Sequence, residues 1–103
     1  MSKYKAKKVK LDGYTFDSKK EAARYGQLKG MLAMGVIEQL EVHPRYPLEV
    51  NGVLICTYVA DFRYVVVMGR SMIVEDVKGF RTDVYRLKKK LMKAVLSIEV
   101  QEV

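Results

Sequence analysis

One histidine, one cysteine and no tryptophan occur among the 103 residues, and there are only two prolines. That scarcity excludes a zinc finger, a Cys-His nucleophilic pair with its orienting group, and a nuclease built on several histidines. The lone Cys56 stands in an apolar run, which excludes a disulfide scaffold and suits a reducing compartment. No apolar stretch approaches the roughly 18 residues that a membrane-crossing helix needs. The opening MSKYKAKKVK does not read as a signal peptide, so a cytoplasmic protein without a membrane partner is expected. Half of the residues are hydrophobic, so one packed domain is expected rather than a disordered segment.

Acidic residues are also the minority, 12 against 19 Lys and Arg, for a net charge of +7. The excess is uneven: +6 over residues 1–30, −2 over 31–78 and +3 over 79–103. Basic ends around an acidic middle suit a polyanionic partner such as nucleic acid. Solvated lysine-rich faces would carry the same charge, so the sign alone does not decide.

Residues 1–8 read as a loose basic arm, and 9–103 as one domain. Val9-Lys10-Leu11 and Tyr14-Thr15-Phe16 flank Asp12-Gly13, the strongest short hairpin signal. Ser18-Lys19-Lys20-Glu21 matches a capping box and opens a helix to about Met34, stopped at Gly35. Glu21, Tyr25, Leu28 and Leu32 share one stripe of that helix. Strands are expected over about 37–43 and 46–50, with a turn at Asn51-Gly52. A long β-rich run follows over 53–67, and a further strand over 72–78. Thr82 or Asp83 caps a second helix to about Leu96, its apolar face formed by Val84, Leu87, Leu91 and Ala94 or Val95. Ile98, Val100 and Val103 close the chain as a last strand. The order helix, three strands, helix, strand, preceded by a hairpin, predicts an α+β (α/β) domain with one mixed central sheet.

Three carboxylates interrupt the apolar strands: Asp61, Glu75 and Asp76. Asp is disfavoured in strands, and burying its charge without a partner is expensive. A turn centred between Gly69 and Arg70 sets Met68 opposite Ser71 and Val67 opposite Met72. Asp61 then faces Lys78 and Arg63 faces Asp76, so Asp61, Asp76 and Lys78 share one face while Glu75 takes the other. Two carboxylates and a lysine at one spot are what metal-dependent phosphodiester cleavage uses, with Mg²⁺ on the oxygens and lysine steadying the phosphate. Mn²⁺ takes the same donors. Cross-strand ion pairs, Asp61 with Lys78 and Asp76 with Arg63, are the alternative.

An Asp on one strand, then Asp76-Val77-Lys78 on the next, with Glu21 on the preceding helix, resemble the PD-(D/E)XK nuclease superfamily and its restriction-endonuclease-like core. Phe16-Asp17-Ser18-Lys19-Lys20-Glu21-Ala22, Tyr58-Val59-Ala60-Asp61-Phe62 and Val74-Glu75-Asp76-Val77-Lys78-Gly79 resemble a phage-encoded, Holliday-junction-resolvase-like branch over roughly residues 9–100. The resemblance implies a Mg²⁺-dependent endonuclease on branched DNA, working as a homodimer without an organic cofactor in the cytoplasm of a bacterial host. It assigns metal ligation to Asp61, Asp76 and Glu21, and water positioning to Lys78. Glu21 has a local reading too, as the fourth residue of the capping box. Where related sequences often carry Gln-Pro, this one has His43-Pro44, either as a substitute hydrogen-bond partner or as an ordinary strand-end histidine.

Tyr85, Arg86, Lys89 and Lys93, with Thr82, are expected along the polar side of the second helix. With Lys3, Lys5, Lys7, Lys8 and Lys10 of the N-terminal segment they are candidate phosphate contacts. Two other classes fit the same residues: a non-catalytic nucleic-acid-binding protein on this fold, and a phage structural or regulatory protein with an acidic protein partner.

Overall fold

The computed structural model describes residues 7–103 of the chain. Lys3 and Lys5 lie outside the described residues, as does most of the expected basic arm; Lys7 and Lys8 are exposed and belong to no helix or strand. Strands β1 (Val9–Leu11) and β2 (Tyr14–Phe16) form the expected hairpin around Asp12-Gly13, both of which take positive φ. Helix α1 (Lys19–Ala33) follows, with the Ser18 side chain accepting from the Glu21 backbone N–H at 3.1 Å. Its end turns through Gly35 at φ +76°, a conformation that costs glycine least.

Then come β3 (Ile37–Val42), β4 (Arg45–Val50), β5 (Val53–Val59), β6 (Phe62–Val66), β7 (Ser71–Asp76), α2 (Asp83–Leu96) and β8 (Gln101–Glu102). The main sheet has the order β3-β6-β7-β8, antiparallel except for the parallel β7–β8 pair that the α2 crossover makes possible. This is the mixed sheet of an α+β domain, with helix, three strands, helix and strand in the expected order. The β4–β5 hairpin is inserted between β3 and β6 as a separate two-stranded sheet.

The β-rich run over 53–67 is thus two strands in two sheets, broken at Ala60-Asp61. Both interrupting residues are used there. Ala60 N–H donates to the Pro44 carbonyl at 3.1 Å, and His43 N–H donates to the Asp61 carbonyl at 2.9 Å. The chain therefore leaves the main sheet at 43–44 and returns at 60–61 through two crossing segments held side by side.

Alternation along β6 and β7 divides the core. Phe62 and Tyr64 pack with Phe16, Tyr25, Leu28 and Ile37 beneath α1. Val74 packs on the other face with Leu48, Tyr58, Tyr85, Met92 and Val100, beneath α2 and the inserted hairpin. Two expected stripes are corrected. Leu32 is exposed at the end of α1, and α2 buries Tyr85 and Met92 while Val84 and Leu87 stay exposed. Tyr85 brings the larger apolar surface and a hydroxyl that finds an acceptor in Glu102 at 2.8 Å, so burying it wins over burying valine.

Candidate metal centre at the sheet–hairpin junction

The β6–β7 turn spans Val67–Arg70, with Val66 opposite Ser71 and Phe62 opposite Glu75. It is centred one residue earlier than the sequence suggested, between Met68 and Gly69. The register therefore moves by two, which changes opposite numbers but keeps every side chain on its face. Asp61 comes opposite Asp76 instead of Lys78. The alternative ion pairs do not form among the described residues: Arg63 reaches Glu41 on β3 at 2.9 Å.

Asp61 and Asp76 are tied reciprocally. Asp61 N–H donates to Asp76 Oδ1 at 2.8 Å, and Val77 N–H donates to Asp61 Oδ2 at 2.7 Å. Asp76 Oδ2 is buried and accepts no hydrogen bond from the described residues. Burial pushes the Asp76 carboxyl up to about 6, against the pull of the Lys78 charge. Burial also raises Asp61, opposed by the Val77 N–H and then by Lys78.

Glu21 points inward from the first turn of α1 and is buried. The capping box is one-sided: Glu21 gives its backbone N–H to Ser18, while its carboxylate lies 3.0 Å from His43 Nε2. Desolvation raises the Glu21 carboxyl more than the His43 contact lowers it, and Asp61 and Asp17 add to the rise. His43 reaches this position because it takes a positive φ at the exit from β3. One donor atom from each of Glu21, His43 and Asp61 lies within 4.8 Å of the others. His43, which the sequence left open, is thus part of the cluster; its only sequence signal was the neighbouring Pro44.

A divalent cation fits these donors. Burial raises the proton affinity of the Glu21 and Asp61 carboxylates, which lie with a histidine nitrogen in one cluster; Asp76, tied to Asp61 but outside that cluster, has an unsatisfied buried oxygen among the described residues. Lys78 does not neutralise them by contact; its ammonium sits over the Tyr85 ring, 4.4 Å from the centroid. Glu75 is turned to the other face and bound by Arg24 and Tyr64.

Of the proposed phosphate contacts, Lys7, Lys8, Lys10, Arg86 and Lys93 are exposed and Lys89 is half-buried. Lys89 and Lys93 lie 3.3 and 3.4 Å from Glu102 and Glu99. Tyr85 is a correction, since its ring is in the core and its hydroxyl is held by Glu102. Sequence reasoning missed Arg81 and Lys90, which line a groove of about 380 Å³ together with Arg86, Lys89 and Lys93. No helix among the described residues is long and apolar enough to cross a membrane.

Fold and donors together define a small α+β domain with a candidate metal centre beside a basic groove. A family model described as a protein of unknown function (DUF1064) matches residues 1–101, and the chain belongs to that family. No curated protein and no solved structure matches it.

Proposed function

We propose that the protein is a metal-dependent DNA endonuclease of the PD-(D/E)XK type, hydrolysing phosphodiester bonds in branched DNA. The observation that carries this reading is the Glu21–His43–Asp61 cluster, with Asp76 tied to Asp61 through a backbone N–H and its second oxygen left unpartnered among the described residues. Acidic groups are seldom buried unpaired unless a cation joins them. Asp61, Asp76 and Glu21 would hold Mg²⁺ or Mn²⁺, with His43 as a fourth donor. When bound, such an ion polarises the scissile phosphate and eases deprotonation of the attacking water.

The chain's own groups supply the rest. The backbone N–H groups of Asp61 and Val77 fix the two aspartates without using all of their oxygens. Lys78, steadied over the Tyr85 ring, is the cation available to orient water or to offset charge growing on the phosphate. Lys89, Arg86 and Lys93 would hold the sugar–phosphate backbone beside it. The resemblance to junction resolvases adds a second copy, because two symmetric cuts need two sites.

The Glu21–His43 contact gives each group a partner from within the chain, and it favours a second reading, a non-catalytic DNA-binding protein on the same fold. One assay separates the two. Labelled four-way junction and matching duplex are incubated with Mg²⁺, Mn²⁺ or EDTA, using wild type, Asp76→Ala and Lys78→Ala. Metal-dependent nicks in the junction, lost in both variants, are expected. Binding without cleavage under every metal would leave the non-catalytic reading.

A further inference from the structure

We propose that the groove along α2, together with the exposed Phe80 that directly precedes its Arg81, binds an unpaired single strand of DNA and leads it to the carboxylate cluster. The proposal rests on the nuclease reading only for what happens at the end of the track; the binding itself does not need cleavage.

Two independent features meet here. The first is charge. Arg81, Arg86, Lys89, Lys90 and Lys93 line the groove against two carboxylates, Glu99 and Glu102. Glu102 is occupied by Arg81 and Tyr85 and lies near Lys89, and Glu99 by Lys93. Lys90 makes no ion pair among the described residues, and Arg86 has only a 3.8 Å approach to the fully exposed Asp83. A surplus of positive charge therefore remains along about 10 Å of helix, the rise from Arg86 to Lys93. At about 380 Å³ the groove has the size of a small-ligand site, which suits a nucleotide of one strand rather than a duplex.

The second feature is Phe80. It lies in the segment between β7 and α2, and 81% of its surface is exposed. A phenylalanine ring left in water forgoes the gain of burial. Phe80 follows Lys78 by two residues, so their Cα atoms are at most about 7 Å apart. It also directly precedes Arg81 of the groove. Tyr85 joins the two regions, for it lines the groove and carries the Lys78 ammonium on its ring.

A basic groove that follows the backbone, with an aromatic ring for base stacking, is the arrangement that binds single strands without reading sequence. An intact duplex hides its base faces in the stack and offers Phe80 nothing to cover. A fork, flap or junction arm with splayed bases does. Phe80 thus selects for distorted or branched substrates before any chemistry occurs.

The test uses the full chain in EDTA, so that cleavage does not interfere. Fluorescence anisotropy is measured with a short single strand, the same sequence as duplex, and a splayed fork. Wild type is expected to favour the single strand and fork. Phe80→Ala weakens those two by about tenfold and duplex by less than about twofold, whereas Phe80→Trp restores them. Lys90→Ala weakens all three and lowers the salt slope by about one. Circular dichroism confirms that the variants fold. A preference for duplex, or a Phe80→Ala effect that is absent or equal on all probes, overturns the proposal. Binding is read without metal and cleavage with it, so a failed cleavage assay and a failed stacking ring give different results.

Discussion

Asp61 and Asp76 face each other across the ends of β6 and β7, and each is fixed through backbone N–H groups rather than by a cation. Asp76 accepts from the Asp61 N–H at 2.8 Å, and Asp61 accepts from the Val77 N–H at 2.7 Å. This leaves Asp76 Oδ2 buried without a partner among the described residues. The arrangement spends folding stability to keep a negative charge where a cation can use it, a pattern found at functional sites more than in structural ion pairs.

That cost is measurable in the metal-free protein. Asp76 titrates at about 6 in the fold against an ordinary 3.8. Its folded-state affinity for protons is raised, so the group favours folding fully below about pH 4. The contribution is lost as the pH rises through about 6. Asp76→Asn removes the ionisable group. In EDTA at pH 7.5 it is expected to be more stable than wild type, by at most about 3 kcal/mol. The advantage disappears near pH 4. Urea unfolding at both pH values checks this, and Mn²⁺ should raise the melting temperature of wild type but not of the variant. Equal stability of the two proteins at pH 7.5 would remove the argument for a charge-starved site.

The opposite face of β7 carries a finished ion pair. Arg24 of α1 grips Glu75 with two hydrogen bonds of 2.7 and 2.9 Å, and the Tyr64 hydroxyl donates to the same carboxylate at 2.6 Å. Because α1 also carries Glu21 and β7 carries Asp76, this clamp sets the distance between two of the candidate ligands. Arg24→Ala leaves Glu75 buried and unpaired, and is expected to cost about 3–5 kcal/mol. Tyr64→Phe removes one of three donors and should cost about 1–3 kcal/mol. The double variant Arg24→Met with Glu75→Leu is expected to recover much of the loss, since no charge then remains buried. Denaturant midpoints of the four proteins decide it; a cost below about 1 kcal/mol for Arg24→Ala shows that the clamp does not hold the helix.

The local elements were legible because their signals are local. Asp12-Gly13, Ser18, Gly35, Asn51-Gly52 and Thr82 each act within a few residues, and all sit where expected. The placing of Asp61 and Asp76 on one face survived a two-residue register shift because side chains alternate with a period of two, although the shift set them opposite each other instead of opposite Lys78 and Arg63. What the sequence hid is tertiary. The run over 53–67 has one composition but serves two sheets, and only the crossing at Pro44 and Ala60 divides it. On α2 the expected Leu91 and Val95 do pack on the core, but Tyr85 and Met92 take the buried places against Val74 and Leu48 while Val84 and Leu87 stay exposed. Glu21 and His43 are 22 residues apart, and no periodicity links a helix start to a strand end.

His43 gives the last prediction, which concerns the choice of metal. Its Nε2 lies 3.0 Å from Glu21 Oε1 and within 4.8 Å of an Asp61 oxygen. Mg²⁺ is a hard ion that prefers oxygen, whereas an imidazole nitrogen favours Mn²⁺ and later transition metals. If His43 ligates, wild type should bind Mn²⁺ more tightly than an all-oxygen site would, and His43→Gln should lose that advantage. The expected change is roughly tenfold in Mn²⁺ affinity with little change for Mg²⁺. Isothermal titration with each ion measures the ratio directly. His43→Ala separates ligation from mere support of Glu21, because it also removes the hydrogen-bond partner of the Glu21 carboxylate. Equal losses for both ions in both variants would mean that His43 only positions Glu21. A selective loss of Mn²⁺ binding would make the histidine part of the metal centre.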